Sequence, residues 1–166
     1  MDNYICKIAS IKEMQEKWDY EISNALNDKS NWIKWKKESM DNYENGYIIP
    51  YYGILNGTII CEATAHLGTK TVQNSNNLVG DNCVYLSAFR TNKEYQGKGY
   101  FSKLFHYILN DLKNKGYKYV TLGVEPEEEH NKEIYKHYGF TDYIKSDKEV
   151  YPDGTTIEVE YYRKKL

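Results

Sequence analysis

The stretch that most limits what this chain can fold into runs from Val84 to Phe105, VYLSAFRTNKEYQGKGYFSKLF. Its first part, extended to Cys83–Thr91, is rich in β-formers and reads as a strand. Its last part opens a helix over Gly99–Lys115. The apolar positions Phe101, Leu104, Phe105, Ile108, Leu109 and Leu112 recur at helical spacing, and Gly116 follows as a C-terminal stop. Between strand and helix lies Gln96-Gly97-Lys98-Gly99. A strand, a glycine turn and a helix N-terminus together favour an anion. The first helical N–H groups lack partners, the helix dipole is positive there, and glycines allow close approach to the backbone. Lys98 adds a positive charge. The string is not a P-loop, which needs GxxxxGK[ST], and it is not a full GxGxxG fingerprint, because the third glycine position is Ser102. A plain packing turn is the competing reading on spacing alone.

The rest of the chain supplies strands and helices around this unit. Tyr4–Ile8 reads as a strand. Ser10 opens a helix with Glu13 three residues on, a capping box, followed by an apolar series Ile11, Met14, Trp18, Ile22 and Leu26. A second helix is expected from about Asn31 to Met40, with Trp32 and Trp35 as core packers or substrate-stacking residues. Tyr47–Leu55 and Thr58–Leu67 flank Asn56-Gly57, a type I′ hairpin signal. Gly68–Asn82 is polar and expected to be a mobile loop. Lys118–Val124 reads as a strand, Glu127–Tyr138 as a short helix stopped by Gly139. Phe140–Lys145 and Thr156–Arg163 read as strands around the turn Pro152-Asp153-Gly154. At 166 residues without a linker or repeat, one domain over 1–166 is expected, of mixed α/β (α+β) class.

Composition narrows the function. A net charge of −2 gives no nucleic-acid footprint. No apolar run approaches the roughly 20 residues of a membrane helix, and MDNYICKIAS is too polar for a signal peptide. Cys6, Cys61 and Cys83 have no metal or disulfide spacing. A reducing, cytoplasmic setting is expected, with Cys61 and Cys83 as small hydrophobes. His66, His106, His130 and His137 show no metal spacing either, and no metal is expected; His106 falls off the apolar stripe and reads as solvated.

Two motifs together resemble the GNAT superfamily of N-acetyltransferases. Gln96-Gly97-Lys98-Gly99-Tyr100-Phe101 is similar to that family's pyrophosphate turn, Gln/Arg-x-x-Gly-x-Gly/Ala. Tyr135-Lys136-His137-Tyr138-Gly139-Phe140 is similar to its Tyr-x-x-x-Gly-Phe helix end. The resemblance spans about 83–140 at the level of motifs. It implies a mixed, mostly antiparallel central sheet flanked by helices on both faces. It also implies acetyl-CoA as co-substrate, a small-molecule amine as acceptor, and a homodimer as an option. There are two departures: Phe101 replaces the last Gly/Ala, and Glu128 stands where many members carry a coenzyme-contacting Asn.

The resemblance further implies roles. Backbone N–H groups near Phe89, Arg90 and Thr91 would face the developing oxyanion and the pantetheine arm. Those of Gln96, Gly97, Lys98, Gly99, Tyr100 and Phe101, with Ser102 behind them, would hold the pyrophosphate. Tyr135 is the candidate acid for the leaving thiolate, since a phenol is protonated at neutral pH. The acceptor amine must lose a proton, and Glu62 and Glu125 are the candidate bases; for each, a solvated charge or ion pair is the competing reading. Glu127, Glu128 and Glu129 suggest a small cationic acceptor, although acids in a first helical turn also simply suit the dipole. A non-catalytic acetyl-CoA-binding module, or a protein N-terminal or lysine acetyltransferase, is the alternative.

Overall fold

The computed structural model describes residues 2–166. In chain order the elements are β1 (Tyr4–Ile8), α1 (Ile11–Asn24), α2 (Lys29–Glu44), β2 (Ile48–Leu55), β3 (Thr58–His66), β4 (Cys83–Thr91), α3 (Tyr100–Asn114), β5 (Tyr119–Val124), α4 (Glu129–His137), β6 (Asp142–Val150) and β7 (Thr156–Lys165). Short 3₁₀ turns occupy Thr69–Thr71 and Lys93–Tyr95. The strands form one seven-stranded sheet in the order β1-β2-β3-β4-β5-β7-β6. The β1/β2, β5/β7 and β6/β7 ladders are antiparallel and β4/β5 is parallel, so the sheet is mixed and mostly antiparallel.

By contacts the chain divides into two compact units, Met1–Thr64 with Ala88–Asp111, and Ala65–Ser87 with Leu112–Leu166. In the first unit the capping box forms as expected: Glu13 N–H donates to Ser10 Oγ, and Ser10 N–H donates to Glu13 Oε1. The Asn56-Gly57 turn has φ of 49° and 84°, the two positive values that a type I′ turn needs. Its core gathers Met14, Trp18, Ile48, Tyr52 and Ile54, with Trp32 and Trp35 packed against them. Trp32 lies 5.9 Å from Trp18 and 5.3 Å from Trp35, ring centre to ring centre, so both tryptophans pack as expected.

The apolar series expected along α1 is corrected at three of its five members. Ile11 is exposed, Leu26 is 92% exposed, and Ile22 is only half-buried. The buried face is instead Met14, Lys17, Trp18 and Glu21. The helix is turned so that two charges go inward, which is tolerable only because each finds an opposite charge.

In the second unit a core forms from Val72, Leu78, Val79, Tyr85, Val159 and Tyr161. Three of these six come from the segment expected to be a mobile loop, which is a second correction. That segment is anchored. Leu78 is fully buried, Asn74 Nδ2 donates to Lys148 O and to Tyr161 Oη, and Gln73 exchanges hydrogen bonds with the backbone of Val150. Gly123 in β5 is a packing requirement, since a Cβ there would stand 2.6 Å from Val159 Cγ1. α2 is longer than expected at both ends, and β6 begins at Asp142 and continues to Val150.

Candidate active site

The glycine turn belongs to the first unit. After β4, the 3₁₀ turn Lys93–Tyr95 leads to Gln96, whose side chain donates to Thr91 O at 3.0 Å and ties the turn to the strand end. Gly97 and Gly99 have φ of +74° and +87°, values that cost an L-residue about 1–2 kcal/mol. A Cβ on either would meet nothing within 4 Å. The glycines are therefore required by backbone conformation and not by crowding, and Gln96–Gly99 is exposed at the mouth of the 15-residue helix α3. An open cradle of this kind, at a helix N-terminus and beside Lys98, fits a phosphate-bearing coenzyme.

Phe101, the departure from the glycine pattern, joins an aromatic cluster. Its ring centre is 5.9 Å from Phe89 and 5.6 Å from Phe105. Tyr100 is held from the other side, where its carbonyl accepts from Tyr4 Oη at 2.8 Å. Ser102 is half-buried in the first turn of α3.

β4 contains a feature that the sequence did not signal. Ala88 has φ of +58°, a left-handed conformation in mid-strand. The parallel ladder with β5 runs from Cys83↔Tyr119 to Leu86↔Leu122, and the kink follows directly. Phe89, Arg90 and Thr91 lie beyond it. The Arg90 side chain stacks on Trp32 at 4.7 Å and pairs with Glu21 at 3.2 Å.

Glu62, a candidate base, is buried in the first unit and ion-paired with Lys17 at 2.8 Å. Burial pushes its carboxyl up, and Lys17 opposes that rise. Lys17 also sits over the Trp18 ring at 3.4 Å. Two cavities are lined by this charged set. One of about 1060 Å³ includes Glu21, Trp32, Arg90, Thr91 and Gln96. The other, of about 320 Å³, includes Lys17, Glu21, Glu62 and Arg90.

The second unit holds Glu125, Glu128 and Tyr135. Tyr135 is half-buried on α4, and burial, then Glu128, pushes its phenol up to about 12. It keeps its proton at any physiological pH. Its carbonyl accepts from the N–H of the buried Phe140 at 3.0 Å, and Gly139 takes φ +98°, so Tyr-x-x-x-Gly-Phe closes the helix. Burial raises the Glu125 carboxyl, with Glu128, Glu127 and Glu149 adding to the rise. Glu128 is the N-cap of α4 and makes no side-chain cap bond. Glu129 pairs weakly, at 3.9 Å, with Lys132, which bonds Glu160 at 2.8 Å.

The expected residues thus fall into two sets, with Glu62, Phe89–Thr91 and Gln96–Ser102 in one unit and Glu125, Glu128 and Tyr135 in the other. Lys17, Glu21, Ala88 and Gly123 went unrecognised in the sequence. Lys17 and Glu21 flank Trp18 at helical spacing, which was the one available signal. His106 is exposed, as expected, and Cys61 is buried, with its thiol pushed up to about 11 by burial. Cys83 is only half-buried.

The mixed seven-stranded sheet thus carries a strand with a left-handed residue, followed by a glycine turn and the long helix α3. The sequence model of the acetyltransferase (GNAT) family matches residues 9–140, and the chain belongs to that family. Solved structures agree at the level of fold. The ribosomal-protein-S18-alanine N-acetyltransferase of Escherichia coli is similar with a TM-score of 0.72 and 12% identity, over 99% of this chain and 94% of that one. A GNAT-family acetyltransferase of Streptococcus pneumoniae is similar with a TM-score of 0.69 and 16% identity, over 99% and 100%. A probable acetyltransferase of Staphylococcus epidermidis gives 0.71 and 9%, over 100% and 99%. Compared with curated proteins, the chain has no significant sequence match. It is an acyltransferase of a family that uses acetyl-CoA.

Proposed function

We propose that residues 1–166 act as one catalytic domain that transfers the acetyl group of acetyl-CoA to the primary amine of a small molecule, which arrives as a cation. The observation that carries this reading is the open turn at Gly97 and Gly99, where the backbone is shaped for an anion and the space above it is clear. In this reading the N–H groups of Gln96–Phe101, with Lys98 and Ser102, hold the pyrophosphate. The backbone of Phe89, Arg90 and Thr91 positions the pantetheine arm and the thioester oxygen. Glu128 borders the coenzyme, at the position where the family resemblance implies an Asn. Acetyl-CoA supplies an activated thioester, so that a C–N bond forms as the C–S bond breaks. Tyr135 donates its phenolic proton to the departing sulfur, a role supported by its protonated state. The proton lost by the amine passes to a carboxylate. Glu125 is favoured over Glu62, because Glu62 is already engaged by Lys17, while Glu125 is half-buried with a raised affinity for protons. The three cysteines are free, which supports a reducing cytoplasmic setting, and no helix among the described residues is long and apolar enough to cross a membrane.

Calorimetry with acetyl-CoA, followed by thiol release on a panel of amines, tests the reading. Free CoA should compete for the site and ATP should not. Tyr135→Phe should lower kcat on the order of a hundredfold while coenzyme affinity is kept. Binding without release on any small amine or peptide would favour a coenzyme-binding module, and release on peptides alone would make the acceptor a protein.

A further inference from the structure

Two ion pairs in the first unit differ in kind. Lys17–Glu62 is closed, with both side chains about 5–6% exposed. Glu21–Arg90 is half open: the Glu21 side chain is 9% exposed, but that of Arg90 is 46% exposed. Arg90 Nη2 reaches Glu21 Oε2 at 3.2 Å, and a guanidinium offers five donors in a planar fork. Arg90 also has a second support besides Glu21. It lies on the Trp32 ring at 4.7 Å, and Trp32 is itself fixed against Trp18 and Trp35. Glu21 and Arg90 both line the 1060 Å³ cavity and the 320 Å³ cavity, so a molecule in either meets a carboxylate and a guanidinium side by side. The larger cavity also includes Thr91 and Gln96, the start of the glycine turn.

We propose that this pair receives an acceptor bearing a carboxylate beside its amine, an amino acid or a close derivative, with the ammonium on Glu21 and the carboxylate on the stacked Arg90 fork. The inference rests on the acetyltransferase reading and narrows its acceptor. Such a zwitterion replaces one internal ion pair by two, using charges that folding has already partly desolvated. A polyamine fares worse. Its first ammonium satisfies Glu21, but the rest of the chain is pressed against Arg90 and, in the smaller cavity, Lys17. The cationic acceptor expected from the acidic run thus becomes an amine that also carries an anion.

The test uses matched pairs of amines, lysine with cadaverine and phenylalanine with phenethylamine, in a thiol-release assay on the full chain. At least one carboxylated member should exceed its decarboxylated partner in kcat/KM by tenfold or more. Arg90→Met should erase that preference through acceptor KM, with a smaller change in coenzyme KM, and Arg90→Lys should restore it only in part because the fork is lost. Equal or better turnover of the decarboxylated members overturns the proposal, as does release confined to amines without a neighbouring carboxylate or to peptides. A change in coenzyme KM larger than that in acceptor KM would assign Arg90 to the coenzyme and also overturn it. Should Arg90→Met fail to fold, the wild-type pairs still decide. Release of thiol on no amine at all would instead sink the acetyltransferase reading.

Discussion

The two units bury polarity in opposite ways. The first encloses charge: as whole residues Lys17, Glu21 and Glu62 are each under 9% exposed, and they are kept there by ion pairs and, for Lys17, by the ring of Trp18. The second encloses neutral hydrogen-bonded groups. Thr121 is fully buried with its hydroxyl donating to Leu78 O, and His66 is flanked by Thr71 Oγ1 at 2.7 Å and Ser87 Oγ at 2.6 Å. Neutral groups of this kind fasten a polar segment to a sheet at little cost, because each donor meets an acceptor. Buried charges are a poor fastening, since desolvation consumes most of their attraction. Charges placed beside cavities are better explained by what they can meet there.

Breaking the closed pair should have the largest effect on stability. Glu62→Ala strands Lys17 in the core and should cost about 3–5 kcal/mol in denaturant unfolding. Adding Lys17→Met should recover most of the loss. A cost under about 1 kcal/mol would mean that the pair is effectively hydrated and the contrast between the units is false.

The second effect is a pH window. Burial pushes the His66 imidazole down to about 4. Between that value and the ordinary one near 6.5 the unfolded chain holds a proton that the folded chain does not. Stability is therefore present in full above about pH 6.5 and is lost as pH falls toward 4, by up to about 3 kcal/mol. His66→Gln should flatten that slope. An unchanged slope would place the acid sensitivity elsewhere.

The smallest effect is expected at Thr121. Thr121→Val keeps the shape but removes the donor to Leu78 O, and should cost about 1 kcal/mol. Hydrogen exchange over 72–79 should report it before global unfolding does, because that segment loses one of its ties to the sheet.

Local chemistry made much of the fold legible. The Ser10 capping box, the Asn56-Gly57 turn and the apolar stripe of α3 depend on neighbours within a few residues, and each appears where the chain places it. Gly97 and Gly99 belong with them, since positive φ is a local demand that glycine meets. The buried face of α1 was not legible. Periodicity ranks residues by apolarity and so selected Ile11, Ile22 and Leu26. The inward positions went to Lys17 and Glu21, whose partners Glu62 and Arg90 arrive from β3 and β4. The packed state of 72–79 depended likewise on Tyr161, Lys148 and Val150, far along the chain. By itself, then, the sequence determined where helices start, where the chain turns and which turn can cradle an anion, because those outcomes are set by backbone sterics and short-range hydrogen bonds. Which charges are buried, and hence what the cavities beside Arg90 can recognise, was decided only by tertiary structure, because an ion can leave water only where the fold brings it an opposite charge.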